Sequence, residues 1–131
     1  MRLPAMRRLT LVAVAAALSY PAWWLTAYPR GMAVALLHTT FGHYEIKIYG
    51  YPHPSRWECA RLLRERYGVE VRAEAGCVVT QSLVWYVDGY NGVSESRLIR
   101  RFGKDIFQEC WADGYEDYKR RLKDTPSDQL D

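Results

Sequence analysis

Residues 56–79 have the sequence RWECARLLRERYGVEVRAEAGCVV, in which a helix, a cap, a strand and two cysteines follow one another. Apolar residues at three- and four-residue steps predict a helix from about Arg56 to Tyr67. Gly68 is the expected C-terminal cap of that helix. From Val69 to Ala75 apolar and charged residues alternate, which predicts a half-buried strand.

The residues before this stretch predict a strand and a helix start. Tyr44, Ile46 and Ile48 alternate with polar residues and therefore share one face of a strand. Ser55, followed by Glu58 three residues later, predicts a capping box at the start of the helix. If the two strands are parallel, the helix between them is a right-handed crossover.

The residues after this stretch predict more sheet and two helices. CVVT (77–80) and LVWYV (83–87) are apolar and rich in β-branched or aromatic residues, and they predict one interrupted strand or two short ones. DGYNG (88–92) predicts a turn. Ser94 is the expected cap of a short helix, and Asp105 that of a longer one. The predicted fold is α+β, with a small three- to four-stranded sheet and helices packed on one face.

The N-terminal region predicts a membrane helix in front of this domain. Residues 9–28, LTLVAVAAALSYPAWWLTAY, carry no charge, and a helix of this length spans about 30 Å, the thickness of a bilayer's hydrocarbon core. Most nearby arginines precede the segment, which predicts a cytoplasmic N-terminus in a bacterial inner membrane. The alternative is a cleaved signal peptide, with Ala17-Leu18-Ser19 at the cut and a secreted or periplasmic product. In both cases residues 44–131 lie outside the cytoplasm.

The predicted organisation has four parts. They are a signal-anchor at 1–30, an apolar juxtamembrane connector at 31–43, an extracytoplasmic domain at 44–123 and a polar disordered tail at 124–131. The net charge is +3, but four arginines lie in or beside the apolar N-terminal region. Without them basic residues no longer outnumber the 15 acidic ones, so no nucleic-acid partner is expected. The lipid bilayer is an expected partner through residues 9–28.

The cysteines of the opening stretch leave several possibilities open. Element lengths bring Cys59, near the start of the helix, and Cys77, after the second strand, to the same end of the sheet. This geometry permits a disulfide, which an oxidising compartment would favour. The alternatives are two buried thiols, a metal site or redox chemistry, although no C-x-x-C pair is present. Cys110 lies on the apolar stripe of the last helix and is expected to be a buried packing thiol.

Few residues indicate chemistry. The chain has no glycine-rich phosphate loop, no H-E-x-x-H and no zinc spacing, so neither a metal nor a cofactor is expected and catalytic residues stay unknown. His38 and His43 are interpreted as incidental interfacial histidines. The candidate ligand-binding residues combine a histidine at a strand–helix loop with aromatic side chains and an amide; they are His53, Trp85, Tyr86, Tyr90 and Asn91.

The chain resembles a bacterial family, the FEKKY domain, over roughly residues 46–121. The matching features are Tyr49-Gly50, Cys59, Tyr67-Gly68, Gly76-Cys77, Tyr90-Asn91, Gly103 and the final aromatic-acidic helix. The resemblance implies an exported or membrane-tethered domain without an assigned activity, and it supplies no catalytic residues.

These observations predict a membrane-anchored extracytoplasmic domain that binds a protein, peptide or glycan. One alternative is a small cell-envelope enzyme with a site near His53 and the Cys59/Cys77 end of the sheet. Another is an accessory subunit of a membrane complex. An aromatic surface without a polar pocket would favour the binding domain over the enzyme.

Overall fold

The computed structural model describes residues 5–50 and 53–124. In this part of the chain five helices surround a sheet of two parallel strands. In chain order the elements are α1 (Ala5–Leu25), α2 (Ala27–Thr40), β1 (Glu45–Tyr49), α3 (Pro54–Tyr67), β2 (Glu70–Ala75), α4 (Gln81–Phe102) and α5 (Ile106–Asp124). The predicted polar tail falls outside the described residues from position 125 onward.

The predicted strand–helix–strand unit is confirmed, and β1 and β2 pair in parallel. Gly68 ends α3 with φ 66°, a left-handed conformation that glycine adopts without steric cost. The predicted start of α3 is wrong by two residues. His53, and not Ser55, is the N-cap: the His53 ring Nδ1 accepts a hydrogen bond from the Ser55 backbone N–H at 3.3 Å. Pro54 then occupies the first helical position, where proline needs no N–H partner.

The predicted three- to four-stranded sheet is wrong, because CVVT (77–80) forms no strand and LVWYV (83–87) lies in one long helix. Residues 81–102 make up α4 without interruption. The Thr80 hydroxyl caps this helix by accepting the Leu83 N–H at 3.2 Å. A short apolar run suits a buried helix as well as a buried strand. The predicted turn glycine Gly89 lies inside α4, and the predicted cap Ser94 is fully buried there.

Two glycines let α2 and α4 pack backbone against backbone. A Cβ added at Gly89 would lie 2.3 Å from the Tyr28 carbonyl oxygen, and one at Gly31 would lie 2.1 Å from the Tyr86 carbonyl oxygen. The buried positions of α2 recur at every fourth residue, and they are Ala27, Gly31, Ala35 and Thr39. Most of the segment 31–43, expected to be a juxtamembrane connector, is therefore a helix packed into the domain.

Helix α1 carries the membrane-span character expected from the sequence. Among the described residues, only Arg7–Leu25 forms a helix long and apolar enough to cross a membrane, and none of it is buried. The Trp24 ring meets Trp85 of α4 edge-on, with centroids 5.4 Å apart. The Arg30 guanidinium lies 3.6 Å from the centre of the Trp23 ring. Aromatic side chains therefore line the junction between α1 and the rest of the protein.

The apolar core lies between the sheet and helices α3, α4 and α5. Its buried members are Ile46, Leu62, Leu63, Val69, Leu98, Ile106 and Cys110. Cys110 is fully buried, which confirms its predicted packing role, and burial raises the pKa of its thiol to about 11. Gly114 brings α5 close to α3, since a Cβ there would lie 2.8 Å from the Cys59 backbone nitrogen.

The expected disulfide between Cys59 and Cys77 is absent, and both thiols are free. Cys59 is half-buried and packs against the apolar core. Cys77 is exposed in the loop that follows β2. Because Cys59 faces the core and Cys77 faces solvent, the fold does not direct the two thiols toward each other.

Candidate functional site

An apolar groove lies between one face of the sheet and helices α3 and α5. Its volume is about 560 Å³, which is in the range of small-molecule sites. Ile46 and Ile48 of β1 and Val71 of β2 line it, because alternate strand residues share a face. The apolar lining from the helices consists of Ala60, Leu63, Phe107 and Trp111.

Charged side chains also line the groove. The Arg56 guanidinium carbon lies 5.6 Å from the centre of the Trp111 ring, a cation–π distance. Asp105 is the N-cap of α5, as predicted: one of its carboxylate oxygens accepts the backbone N–H groups of Phe107 at 3.0 Å and Gln108 at 3.1 Å. Its negative charge is therefore fixed at the start of that helix.

Glu95 of α4 places a second carboxyl beside the groove. The residue as a whole is exposed, but its carboxyl borders apolar walls. The resulting loss of hydration, together with the neighbouring Asp105 carboxylate, raises the pKa of Glu95. Two carboxyl groups that interact unfavourably mark a position where a positive charge would be stabilised.

The opposite face of β1 is polar, yet it is buried as deeply as the apolar face. Glu45 and Lys47 are 3% and 5% exposed. The Lys47 ammonium donates to Glu45 Oε1 at 3.1 Å and also contacts the Glu74 carboxylate of β2. These three side chains form an ion-pair network. We call the six residues Glu45, Lys47, Glu74, Tyr90, His38 and His43 the polar cluster.

Hydrogen bonds within the polar cluster keep Glu45 and Lys47 charged although both side chains are buried. Burial lowers the pKa of Lys47, but hydrogen bonds to Glu74 and Glu45 outweigh this effect and the pKa is raised. Burial likewise raises the pKa of Glu45, but hydrogen bonds with His43 and Lys47 outweigh it and the pKa is lowered. Both groups are therefore charged at neutral pH.

Helix α4 covers this face of the strand with Tyr90 and Asn91. Tyr90 is fully buried, and its ring centre lies 4.7 Å from the Lys47 ammonium. Burial, followed by the nearby Glu45 carboxylate, raises the pKa of Tyr90 to about 12. Asn91 pairs with the edge of β1: its Oδ1 accepts the Lys47 N–H at 2.9 Å, and its Nδ2 donates to the Lys47 carbonyl at 2.7 Å. An amide side chain thus occupies hydrogen-bonding positions that a third strand would use.

Two histidines complete the polar cluster at the end of α2. The His38 ring Nδ1 lies 2.8 Å from the Tyr90 hydroxyl. The His43 Nε2 lies 3.1 Å from Glu45 Oε2. One ligand atom from each of His38, His43 and Glu45 falls within 4.8 Å of the other two.

The structure brings together only part of the ligand site expected from the sequence. Tyr86, Tyr90 and Asn91 lie around Lys47 in the domain interior. Trp85 instead packs on Trp24 of α1. His53 caps α3, with its ring centre 5.2 Å from that of Tyr118.

Sequence reasoning indicated Cys59 and Tyr90 but missed most of the other residues that build the groove and the polar cluster. The pair His38 and His43 was visible, but its five-residue spacing is not a helical ligand spacing. What was overlooked is that Gly42, with φ 78°, turns the chain between them, and that Glu45 follows two residues later. Glu95 gave no signal and Asp105 only that of a helix cap, because they lie on α4 and at the start of α5 and meet only in the fold.

Comparisons of the chain with protein families, with curated proteins and with solved structures find no match. The resemblance to the FEKKY domain therefore stays a prediction from the residues quoted for it.

Proposed function

We propose that the protein is a membrane-anchored binding domain that holds an apolar ligand carrying a cationic group in the groove. The observation that supports it most directly is the groove, a largely apolar cavity of about 560 Å³ with two carboxyl groups beside it. Cavities of this size with apolar walls and few polar groups are typical of small-molecule sites.

The ligand chemistry follows from the lining. The side chains of Ile46, Ile48 and Val71 favour an aliphatic or aromatic body. The Arg56 cation faces the Trp111 ring. Glu95 and Asp105 have no basic partner within the part of the chain that the structure describes. An ammonium or guanidinium group on the ligand would supply the missing positive charge.

Cys59 provides a reporter for this proposal, because it lines the groove and its thiol is free. The experiment uses the full chain in lipid nanodiscs, with Cys77→Ser to remove the exposed thiol, and follows maleimide alkylation of Cys59 by mass spectrometry. Three probes share one apolar body and differ in charge: phenylbutylamine, phenylbutanol and phenylbutanoate. Slower alkylation reports an occupied groove. We expect the amine to protect Cys59 most and the carboxylate least.

Two variants separate the groove from unspecific effects of the probes. Ala60→Trp fills the groove, so protection should disappear even though the probes still partition into lipid. Glu95→Gln keeps the shape and removes one carboxyl, so the advantage of the amine over the alcohol should shrink. If none of the three probes slows the alkylation of Cys59, the groove is not a ligand site and the proposal fails.

The anchor is part of the same proposal. Helix α1 is apolar and unburied over Arg7–Leu25, and a cytoplasmic N-terminus would present the groove outside the cytoplasm. Cys77 is exposed, so a membrane-impermeant maleimide should label it in intact spheroplasts. The chain should also stay with the membranes after alkaline carbonate extraction. Labelling only after lysis would reverse the orientation, and release of a shortened chain would indicate a cleaved signal instead of an anchor.

A further inference from the structure

The polar cluster carries an inference that is independent of the groove. His38, His43 and Glu45 come from three consecutive pieces of structure: the last turn of α2, the link after it and the first residue of β1. Gly42, with φ 78°, allows the chain to turn back after α2. The His43 backbone N–H then donates to the His38 carbonyl at 2.9 Å. Their ring centres are 5.3 Å apart as a result.

The three side chains form a donor set that suits a transition metal. Two imidazoles and one carboxylate are a common three-ligand set for Zn²⁺, whereas Ca²⁺ and Mg²⁺ prefer oxygen ligands alone. Metal–ligand distances of about 2.0–2.2 Å place neighbouring donors of a tetrahedral site about 3.3–3.6 Å apart. The His43 Nε2 and Glu45 Oε2 atoms are already 3.1 Å apart, and the three ligand atoms all lie within 4.8 Å of one another. A small movement of one ring would complete the set.

Outer contacts hold two of these ligands in place. His38 Nδ1 lies 2.8 Å from the Tyr90 hydroxyl. In the tautomer in which Nδ1–H donates to that hydroxyl, the other ring nitrogen, Nε2, has the free lone pair that a metal ion needs. Glu45 uses Oε1 for the Lys47 ammonium at 3.1 Å, which leaves Oε2 toward His43. Hydrogen bonds of this kind to the far side of a ligand are typical of metal sites.

The charge and exposure of the ligands allow a divalent cation to bind. The Lys47 ammonium and the Arg72 guanidinium, which lies 3.8 Å from Glu74 Oε1, balance the carboxylates of Glu45 and Glu74, so the cluster without an ion carries no net positive charge when the histidines are neutral. Glu45 is buried, whereas the side chain of His43 is 48% exposed. An ion can therefore enter from solvent on the His43 side, and water can fill the remaining coordination position.

We propose that His38, His43 and Glu45 bind one divalent transition-metal ion of the zinc class, with a fourth position open to water. The experiment uses the full chain, without a histidine tag, in nanodiscs and freed of metal with a chelator. Co²⁺ is titrated and followed by its visible absorption, which reports low-coordinate nitrogen and oxygen ligands. Zn²⁺ is titrated by calorimetry. We expect one ion per chain for each metal and displacement of Co²⁺ by Zn²⁺.

Histidine variants give matched controls. His43→Ala removes an exposed ligand and should weaken Zn²⁺ binding by at least about 100-fold, since even outer contacts change metal affinity by about 10- to 100-fold. Tyr90→Phe keeps the ring and removes the hydroxyl, so its affinity should fall by about tenfold. His53→Asn removes a histidine elsewhere, retains a helix cap and should bind as the wild type does. Circular dichroism verifies that each variant is folded. Binding that is absent, or equal in wild type and His43→Ala, would overturn the proposal.

Discussion

The two faces of strand β1 are buried to a similar depth by opposite means. Ile46 on one face is 7% exposed, and Lys47 on the other is 5% exposed. The apolar face needs only contact with other apolar groups and can leave part of its area open as the groove. The polar face needs a specific partner for every charge, because an unpaired charge in the interior is far more costly than a small void. The degree of burial alone therefore does not indicate on which face of β1 an amino-acid substitution is tolerated.

The largest effect should come from forcing α4 away from the polar face. Gly89→Ala would place a Cβ 2.3 Å from the Tyr28 carbonyl oxygen, a backbone atom that cannot move without separating α2 from α4. We expect the domain to lose its cooperative unfolding transition, measured by circular dichroism on the full chain in nanodiscs. Gly92→Ala is the control on the same helix. Nothing lies within 4 Å of its added Cβ, and alanine should stabilise this helix by up to about 1 kcal/mol. Equal behaviour of the two variants would show that the helices do not pack through Gly89.

Removal of the central charge should have the next largest effect. Lys47→Ala leaves the buried Glu45 carboxylate without its ammonium partner, while Glu74 keeps the exposed guanidinium of Arg72 at 3.8 Å. Loss of one partner of a buried pair costs about 3–5 kcal/mol. The free energy of unfolding, measured by chemical denaturation, is expected to fall by that amount. Arg72→Ala is the matched control, because Arg72 lies on the same face of the sheet and pairs with the same Glu74 carboxylate at 3.8 Å, but its side chain is 68% exposed. Its loss should change stability by less than about 0.5 kcal/mol. Similar losses of stability in both variants would show that Lys47 is not more protected from water than Arg72.

The contrast between the two faces also explains what the sequence could predict. Alternation along β1 correctly grouped Ile46 with Ile48, because the side-chain period of a strand is local. Alternation also implies that the intervening residues face water, and Glu45 and Lys47 do not. Their burial depends on the part of α4 around Tyr90 and Asn91, which was predicted to be a turn. The pairing of Glu45 with Lys47 and Glu74 involves β2, and no local pattern contains that information.

The same limit applies to helix α4 and to the candidate sites. The segment DGYNG (88–92) suggested a turn, whereas its first glycine, Gly89, allows α4 to pack closely against α2. One sequence feature supports both interpretations, and only the partner helix distinguishes them. The caps at Gly68 and Asp105 were predicted correctly, because a cap depends on its own few residues. The groove combines residues from five elements and could not be predicted from spacing.

A smaller effect is expected at the edge of β1. Asn91→Ala removes both hydrogen bonds to the Lys47 backbone, at 2.9 and 2.7 Å. An unsatisfied buried polar group costs about 1–3 kcal/mol, so we expect a loss of about 2 kcal/mol in the free energy of unfolding. Amide hydrogen exchange at Lys47 should accelerate as well. Ser96→Ala is the control on α4, because its hydroxyl is exposed and bonds only to the Gly92 carbonyl of its own helix. Unchanged exchange at Lys47 in Asn91→Ala would mean that the amide does not protect the strand edge.

The smallest effect should come from the apolar face. Ile46→Val removes one buried methyl group, which costs about 1 kcal/mol in a packed core, and here the adjoining groove allows neighbouring side chains to adjust. The free energy of unfolding should fall by no more than that amount, measured as for Lys47→Ala. Val78→Ala serves as the control, since Val78 is 81% exposed and its loss should change stability by less than about 0.5 kcal/mol. A loss at Ile46 as large as that at Lys47 would contradict the difference between the faces, because it would mean that the apolar face is also intolerant of small changes and that its groove is a rigid part of the core.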